Sequence, residues 1–257
     1  MKNQTIETWQ AHSSKWGTEP IDQLEKECWA PWLAASSASL EGRAEVFPQG
    51  QLCVAAGKTV LASLSLNRIV WKGDPTALPS WDEVAGEPTD YSQTYKPAGN
   101  TLCLMSMNVR PNARGLRLPG LLIDTVKHYA SEAGIDNIIG SFRPSGYGTK
   151  VLQAVESHLK LPAFEEYVKA TDAGGQPIDP WLRSLFKNGM HELAIDQQAM
   201  TVSITQEEFD EYQQPSWKMV EIESQKIWCC GETGFFFSQP DGSYIYKEKN
   251  VWGKIDG

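Results

Sequence analysis

The sequence predicts an α/β protein with a mixed central sheet, helices on its faces and a β-rich C-terminal segment. Three observations predict it. Two strand-like runs, Gln51–Ala56 and Val60–Ile69, are separated only by the turn Gly57–Lys58, which reads as an antiparallel meander. Residues 101–142 then read strand, loop, helix, strand, a crossover unit that makes its two strands parallel neighbours. Finally, 216–257 alternates aromatic runs with turn residues, and Pro240–Asp241–Gly242 forms a hairpin turn between FFFS and SYIY.

Each element has a local reason. Residues 20–37 place Ile21, Leu24, Cys28, Trp32 and Ala35 on one helical face, and Pro31 kinks or divides the helix. Residues 71–100 are rich in Gly, Pro, Asp, Ser and Thr and read as a long loop, a length that is often functional. The strand 101–109 (TLCLMSMNV) is apolar on both faces, as a central strand is. From Leu118 to Ala133 the apolar residues keep a three/four spacing, and Gly134 ends the helix. Ile135–Phe142 is the parallel strand. Thr149–Leu159 and Phe164–Ala170 read as helices, and Pro180–Lys187 as a short helix N-capped by Asp179. His191–Ile195 and Met200–Ile204 read as two strands and Glu207–Tyr212 as a helix. The expected division is 1–205 as the main domain and 206–257 as an appendage, which could dimerise, swap with a neighbour or cover a tunnel.

Composition excludes several classes. Net charge is −9 and no Lys/Arg-rich run exists, so no nucleic-acid partner is expected. No window is apolar for a membrane-spanning length, and MKNQTIETWQ lacks the apolar stretch of a signal peptide, so a cytoplasmic protein is expected. Five cysteines make no CxxC pair and no Cys/His ligand spacing, so no metal is expected. The ten tryptophans leave two readings open, aromatic plugs under long connections or an apolar ligand tunnel.

The informative stretch is Val109-Arg-Pro-Asn-Ala-Arg-Gly-Leu-Arg-Leu-Pro-Gly120, between a central strand and a strong helix. A loop there aims backbone N–H groups at one point, backed by the helix dipole, and phosphate oxygens suit it. Gly115 and Gly120 allow close approach, while Arg110, Arg114 and Arg117 supply counter-charge. A plain strand-to-helix connection with solvent-facing arginines is the other reading.

The segment Leu104–Leu122 resembles the GNAT motif, in which a strand ends in V-x-P and an R/Q-G-x-G-x-G/A loop opens a helix. Val109 and Pro111 match the strand exit, Arg114 and Gly115 the loop start, and Leu121–Leu122 the helix. The similarity covers residues 50–145. Arg117 stands where that family has its second glycine, and Pro119, which has no N–H, where it has its third Gly or Ala. The resemblance implies a GNAT-type sheet with two parallel strands splayed apart and acetyl-CoA or another acyl-CoA as co-substrate. Met107, Asn108 and Val109 would then face the cofactor with their backbone. The Val109 N–H would polarise the thioester carbonyl, and Arg114, Gly115, Leu116, Arg117, Leu118 and Gly120 would cradle the pyrophosphate.

Residues 81–102, 141–148 (SFRPSGYG) and 164–189 resemble GNAT-like domains fused to nitrilase-type amidases or starting polyketide assembly lines. The latter resemble malonyl decarboxylases working with an acyl carrier protein. They carry a histidine just after D-P-x-L-x-x, where this sequence has Leu185.

Acyl transfer needs a base for the amine, a donor for the oxyanion and an acid for the departing thiolate. Tyr147 is the first candidate acid and Ser145 or Ser141 the second, with Tyr147 also reading as packing. Glu83 and Asp82 are candidate bases through water, or a solvated acidic loop. Arg143 is a candidate for a substrate carboxylate or for the cofactor, or a helix cap. Of the histidines only His191 is kept, His12 being assigned to a frayed terminus. Cys103 reads as buried and inert. The expected function is direct transfer of an acetyl or short acyl group from CoA to an amine or carrier-bound acceptor. Malonyl decarboxylation or thioester S-acyl transfer, and a non-catalytic acyl-CoA-binding module, are the alternatives. Expected partners are a small-molecule acceptor or an acyl carrier protein, with a homodimer possible in principle.

Overall fold

The computed structural model describes residues 4–86, 91–222 and 225–257. In chain order its elements are β1 (Thr5–Thr8), α1 (Trp9–Trp16), α2 (Glu19–Cys28), α3 (Ser37–Val46), β2 (Gln51–Ala56), β3 (Thr59–Ile69), α4 (Trp81–Ala85), β4 (Thr101–Val109), α5 (Leu118–Glu132) and β5 (Asn137–Phe142). There follow α6 (Tyr147–Glu156), α7 (Phe164–Lys169), α8 (Pro180–Lys187), β6 (Met190–Ile204), α9 (Gln206–Tyr212), β7 (Lys218–Ile222), β8 (Gln225–Cys229), β9 (Phe235–Ser238) and β10 (Tyr244–Ile255). No helix among the described residues is long and apolar enough to cross a membrane.

Two compact units emerge. One comprises Met1–Pro79, Glu83–Gly140 and Lys254–Gly257, the other Ser80–Asp82 and Ser141–Gly253. They are not coextensive with the expected segments 1–205 and 206–257.

In the first unit the strand order is β1-β2-β3-β4-β5, antiparallel except for the parallel β4–β5 pair. The mixed sheet therefore matches the expected class. α5 packs Leu118, Leu122, Ile123, Val126 and Ala130 inward, and each fully buried Leu, Ile or Val contributes about 1.5–3 kcal/mol. It ends as its sequence predicts. Gly134 takes φ +61°, the Ile135 N–H reaches back to the Ala130 carbonyl (2.9 Å), and the Gly134 N–H reaches that of Ser131 (3.3 Å).

The N-terminus differs from its expectation. His12 lies on α1 with no exposed surface, because β1 pairs with β2 and the Trp9 indole N–H donates to the Leu52 carbonyl (2.7 Å). The helix read over 20–37 stops at Cys28, and a separate helix, α3, starts after Ser36, whose hydroxyl accepts from the Ser39 N–H. The loop read over 71–100 contains α4, and residues 87–90 of it lie outside the described residues.

In the second unit the order is β10-β9-β8-β7, with β6 also on β10. The β6 strand is continuous where two strands were expected. Asp196 in its middle accepts from the Ser141 hydroxyl (2.9 Å) and the Trp81 N–H (3.1 Å), so the polar run does not break it. Phe209 of α9 stacks on Tyr244 at 3.7 Å and meets Trp217, Trp228 and Phe236 edge-on. Trp217 and Trp252 are buried, which is the packing reading of the tryptophans. The hairpin turn is as expected, with Gly242 at φ +88°. Gly148 is required by contact: a Cβ there would sit 2.1 Å from the Gly231 carbonyl oxygen.

Candidate functional site

The site is built by one irregularity in β4. Ser106 pairs with Ser65 and Leu104 with Leu66, so Met105 is an extra residue on β4. A bulge of this kind bends its strand and increases local twist. On the other side, pairing with β5 ends at Leu104↔Gly140, while β4 continues to Val109. The parallel strands therefore part, as the resemblance implied.

Which groups face the opening follows from alternation. The Arg110 N–H donates to the Leu61 carbonyl of β3 (2.9 Å). Successive N–H groups of an extended strand point to opposite edges. Asn108 therefore faces β3 with its N–H, and Met107 and Val109 present theirs to the opened edge. Both residues are half-buried. The Val109 carbonyl accepts from the Cys28 thiol (3.6 Å). Burial first, and then the Glu25 carboxylate, push that thiol up to about 11, which keeps it a proton donor at neutral pH.

α2 braces this strand from a buried polar cluster that sequence reasoning did not find. Glu25 is 3% exposed. Its carboxylate accepts from the Ala35 N–H (3.0 Å) and from the Asn108 amide (2.5 Å). That amide also donates to the Ser63 hydroxyl (3.2 Å) and accepts from the Trp29 indole N–H (2.6 Å). The Asn108 side chain is thus saturated, and it fixes the open end of β4 against α2. The only sequence signal was a carboxylate beside Leu24 on a helical face that had been read as apolar.

Burial raises Glu25 above the usual carboxyl value, although Ala35, Arg43 and Asn108 pull it down. A raised carboxyl favours folding below 4.5 and loses that contribution as pH rises through the folded value. The melting-temperature difference, wild type minus Glu25→Gln, is therefore expected to fall as pH rises above 4.5. A difference that grows over that range refutes the assignment.

Beyond β4 the chain turns through a 3-10 turn at Pro111–Ala113 and the loop 114–117 into α5. Gly115 at φ +84° and Arg117 at φ +58° turn the backbone there. Arg117 N-caps α5 without a side-chain cap, and Pro119 sits in the first turn. Among the described residues no backbone carbonyl takes the N–H of Gly115, Arg117, Leu118 or Gly120. Arg110 is engaged internally, by Glu27 (2.6 and 2.7 Å) and the Val60 carbonyl (3.0 Å). Arg114 and Arg117 are exposed, and among the described residues no carboxylate pairs with them. Leu116 is exposed and Leu118 buried.

The remaining predicted residues fall mainly in the second unit. Tyr147 is buried against Phe164, Tyr167 and Phe235, its hydroxyl donating to the Pro162 carbonyl (2.9 Å). Burial and then Glu165 push it up to about 12. Ser141 donates to Asp196, whereas Ser145 is an exposed turn residue. Arg143, expected for a substrate carboxylate, meets Glu248 (2.8 Å), Glu232 (3.0 Å) and the Tyr246 hydroxyl (3.0 Å). Burial disfavours its charge, yet those carboxylates hold it above the usual arginine value. Leu185 is fully buried, and Cys103 is buried as expected. Asp82 accepts from the Thr201 N–H (2.8 Å), Glu83 is exposed on α4, and His191 is exposed on β6. A separate cavity, lined by Trp9, Ile21, Leu40 and Ala44 among others, contains none of the predicted site residues.

No family profile matches the sequence. A Bacillus subtilis (strain 168) protein described as the uncharacterized N-acetyltransferase YkwB is 24% identical over 131 residues, 49% of this chain and 56% of its own length. The match thus spans little more than half of that curated relative. Among solved structures, the loading GNATL domain of CurA from Lyngbya majuscula has a TM-score of 0.63 at 13% identity, covering 99% of this chain and 98% of that one. The GphF GNAT-like decarboxylase, solved with isobutyryl-CoA, has a TM-score of 0.59 at 20% identity and covers 98% of each chain. Likeness at full coverage extends beyond the expected 50–145 segment, and this chain is a protein of the GNAT fold along its whole length.

Proposed function

We propose that this protein binds an acyl-CoA along the opened edge of β4 and transfers its acyl group to a small-molecule amine or carrier-bound acceptor. The observation that carries the reading is the parting of β4 from β5 after Leu104↔Gly140, with the Met107 and Val109 N–H groups on the freed edge. The pantetheine arm would pair with that edge as a strand does, and the pyrophosphate would meet the N–H groups of Gly115, Arg117, Leu118 and Gly120. Arg114 and Arg117 supply charge where Pro119 withholds an N–H. The acyl-CoA brings the activated thioester; the protein orients it and stabilises developing oxyanion charge through Val109. Glu83 is the proposed carboxylate for proton removal through water.

Decarboxylation is the second reading, favoured by full-length likeness to a GNAT-like decarboxylase. Leu185, fully buried where the resemblance places a histidine, offers it no proton. Acyl transfer is therefore preferred.

Thermal shifts with acetyl-CoA, malonyl-CoA and free CoA, compared with pantetheine, test the reading. Shifts with the nucleotide-bearing ligands alone are expected, since a ligand of the folded state raises stability by mass action. Arg114→Ala/Arg117→Ala is expected to weaken CoA binding by about 10–100-fold, the loss of charge-assisted hydrogen bonds. Titration calorimetry checks it; wild-type affinity in the double variant, or no shift with any CoA species, refutes the cradle.

A further inference from the structure

A second cluster lies at the other edge of the first unit's sheet, two strands from β4. Glu7 on β1 and Cys53 on β2 are direct cross-strand partners, so their side chains share a face. α1 begins at once after β1 and brings His12 over them, its Nδ1 2.8 Å from a Glu7 carboxylate oxygen. His12 and Cys53 have no exposed surface. A carboxylate oxygen, a ring nitrogen and the sulfur lie within 4.8 Å of one another.

Hydrogen bonding leaves one atom of this group unexplained. His12 Nε2 is buried with no partner among the described residues. A buried ring nitrogen left so loses its hydration without compensation, and such exceptions call for an explanation. Lys15 pairs with the second Glu7 oxygen, which leaves the first beside the imidazole.

We infer that Glu7, His12 and Cys53 bind one divalent cation of the Zn2+ class. Thiolate, imidazole and carboxylate are the donors such an ion takes, with water as a fourth ligand. Hard ions such as Mg2+ and Ca2+ are disfavoured by the sulfur and nitrogen. Binding exchanges the Cys53 thiol proton, which passes to solvent, for the cation; no electron moves. The ion ties β1 and α1 to β2, which fastens the N-terminal segment to the sheet. The ligands are 5 and 41 residues apart, so no short motif announces them.

The test is a Co2+ titration of the full chain. One equivalent is expected to produce a sulfur-to-cobalt charge-transfer band that one equivalent of Zn2+ abolishes. Cys53→Ser and His12→Gln are expected to weaken binding by at least about 100-fold, and Glu7→Gln serves if either fails to fold. Cys28→Ser and Cys230→Ser should keep the band. Absence of the band in wild type, its survival in Cys53→Ser, or its loss in the Cys28 or Cys230 variant overturns the site.

Discussion

Glu248→Ala is expected to destabilise the protein by about 3 kcal/mol, the low end for breaking a buried ion pair by removing one partner. Glu248 is 3% exposed, and one of its oxygens accepts from Arg143 Nε (3.0 Å) and the Tyr246 hydroxyl (2.6 Å) and lies 2.8 Å from Arg143 Nη2. Tyr246, fully buried, in turn accepts from the Gly234 N–H (2.9 Å). Removing the carboxylate takes away the most deeply buried counter-charge of the guanidinium, which keeps Glu232 and the Tyr246 hydroxyl, and takes away the carboxylate to which that hydroxyl donates. The retained Glu232 contact is why the low end applies. For a chain of this length that corresponds to a fall of about 6–12 °C in melting temperature. Glu248→Gln, which keeps an acceptor, should lose less. Equal melting temperatures for wild type and Glu248→Ala would mean that Arg143 is held by something other than this pair, and a ligand role for it would return.

That network also shows what the sequence conceals. Arg143 follows a strand and precedes a helix, so from the sequence it was as good a substrate ligand as a structural cation. Its partners lie 89 and 105 positions away, at Glu232 and Glu248, and no local pattern brings them together. Glu25 and Asn108 are a similar case, 83 positions apart. By contrast β4, α5 and their junction were legible, because their causes are local: apolar periodicity, Pro119 in a first turn and Gly134 at a C-terminus. The N-terminal strand and helix were not, because their order depends on Trp9 reaching Leu52 and on Glu7 facing Cys53. Of the candidate site, the strand and loop proposed to face the cofactor were readable, whereas the groups bracing them were not.

The bulge at Met105 connects these levels. One extra residue changes neither hydrophobic pattern nor predicted strand, so it leaves no mark in the sequence, yet it bends β4 and sets which N–H groups face the opened edge. The polar cluster on α2 then holds the bent end, through the one β4 side chain, Asn108, that it saturates. Position and rigidity of the freed edge thus come from different residues, and they can be tested separately from its chemistry.

Val109→Pro makes that separation. The Val109 N–H faces the opened edge, so proline removes no ladder bond between β3 and β4, and strand positions of this kind tolerate it. Asn108 before it is already extended, as a residue preceding proline must be. The Val109 carbonyl remains for the Cys28 thiol. What disappears is the single donor proposed for the thioester oxyanion. Turnover with acetyl-CoA, or whichever acyl-CoA gives the largest thermal shift, is expected to fall about 100–1000-fold in kcat, the usual cost of one such donor. CoA affinity, assigned in the proposal to Met107 and the loop at 114–120, should stay within a few-fold. If kcat and affinity fall together, the substitution has displaced β4 and Asn108→Ala should reproduce the pattern. If kcat holds while the fold and affinity are intact, Val109 does not polarise the carbonyl, and the catalytic donor belongs elsewhere on the opened edge, with Met107 the next N–H to test.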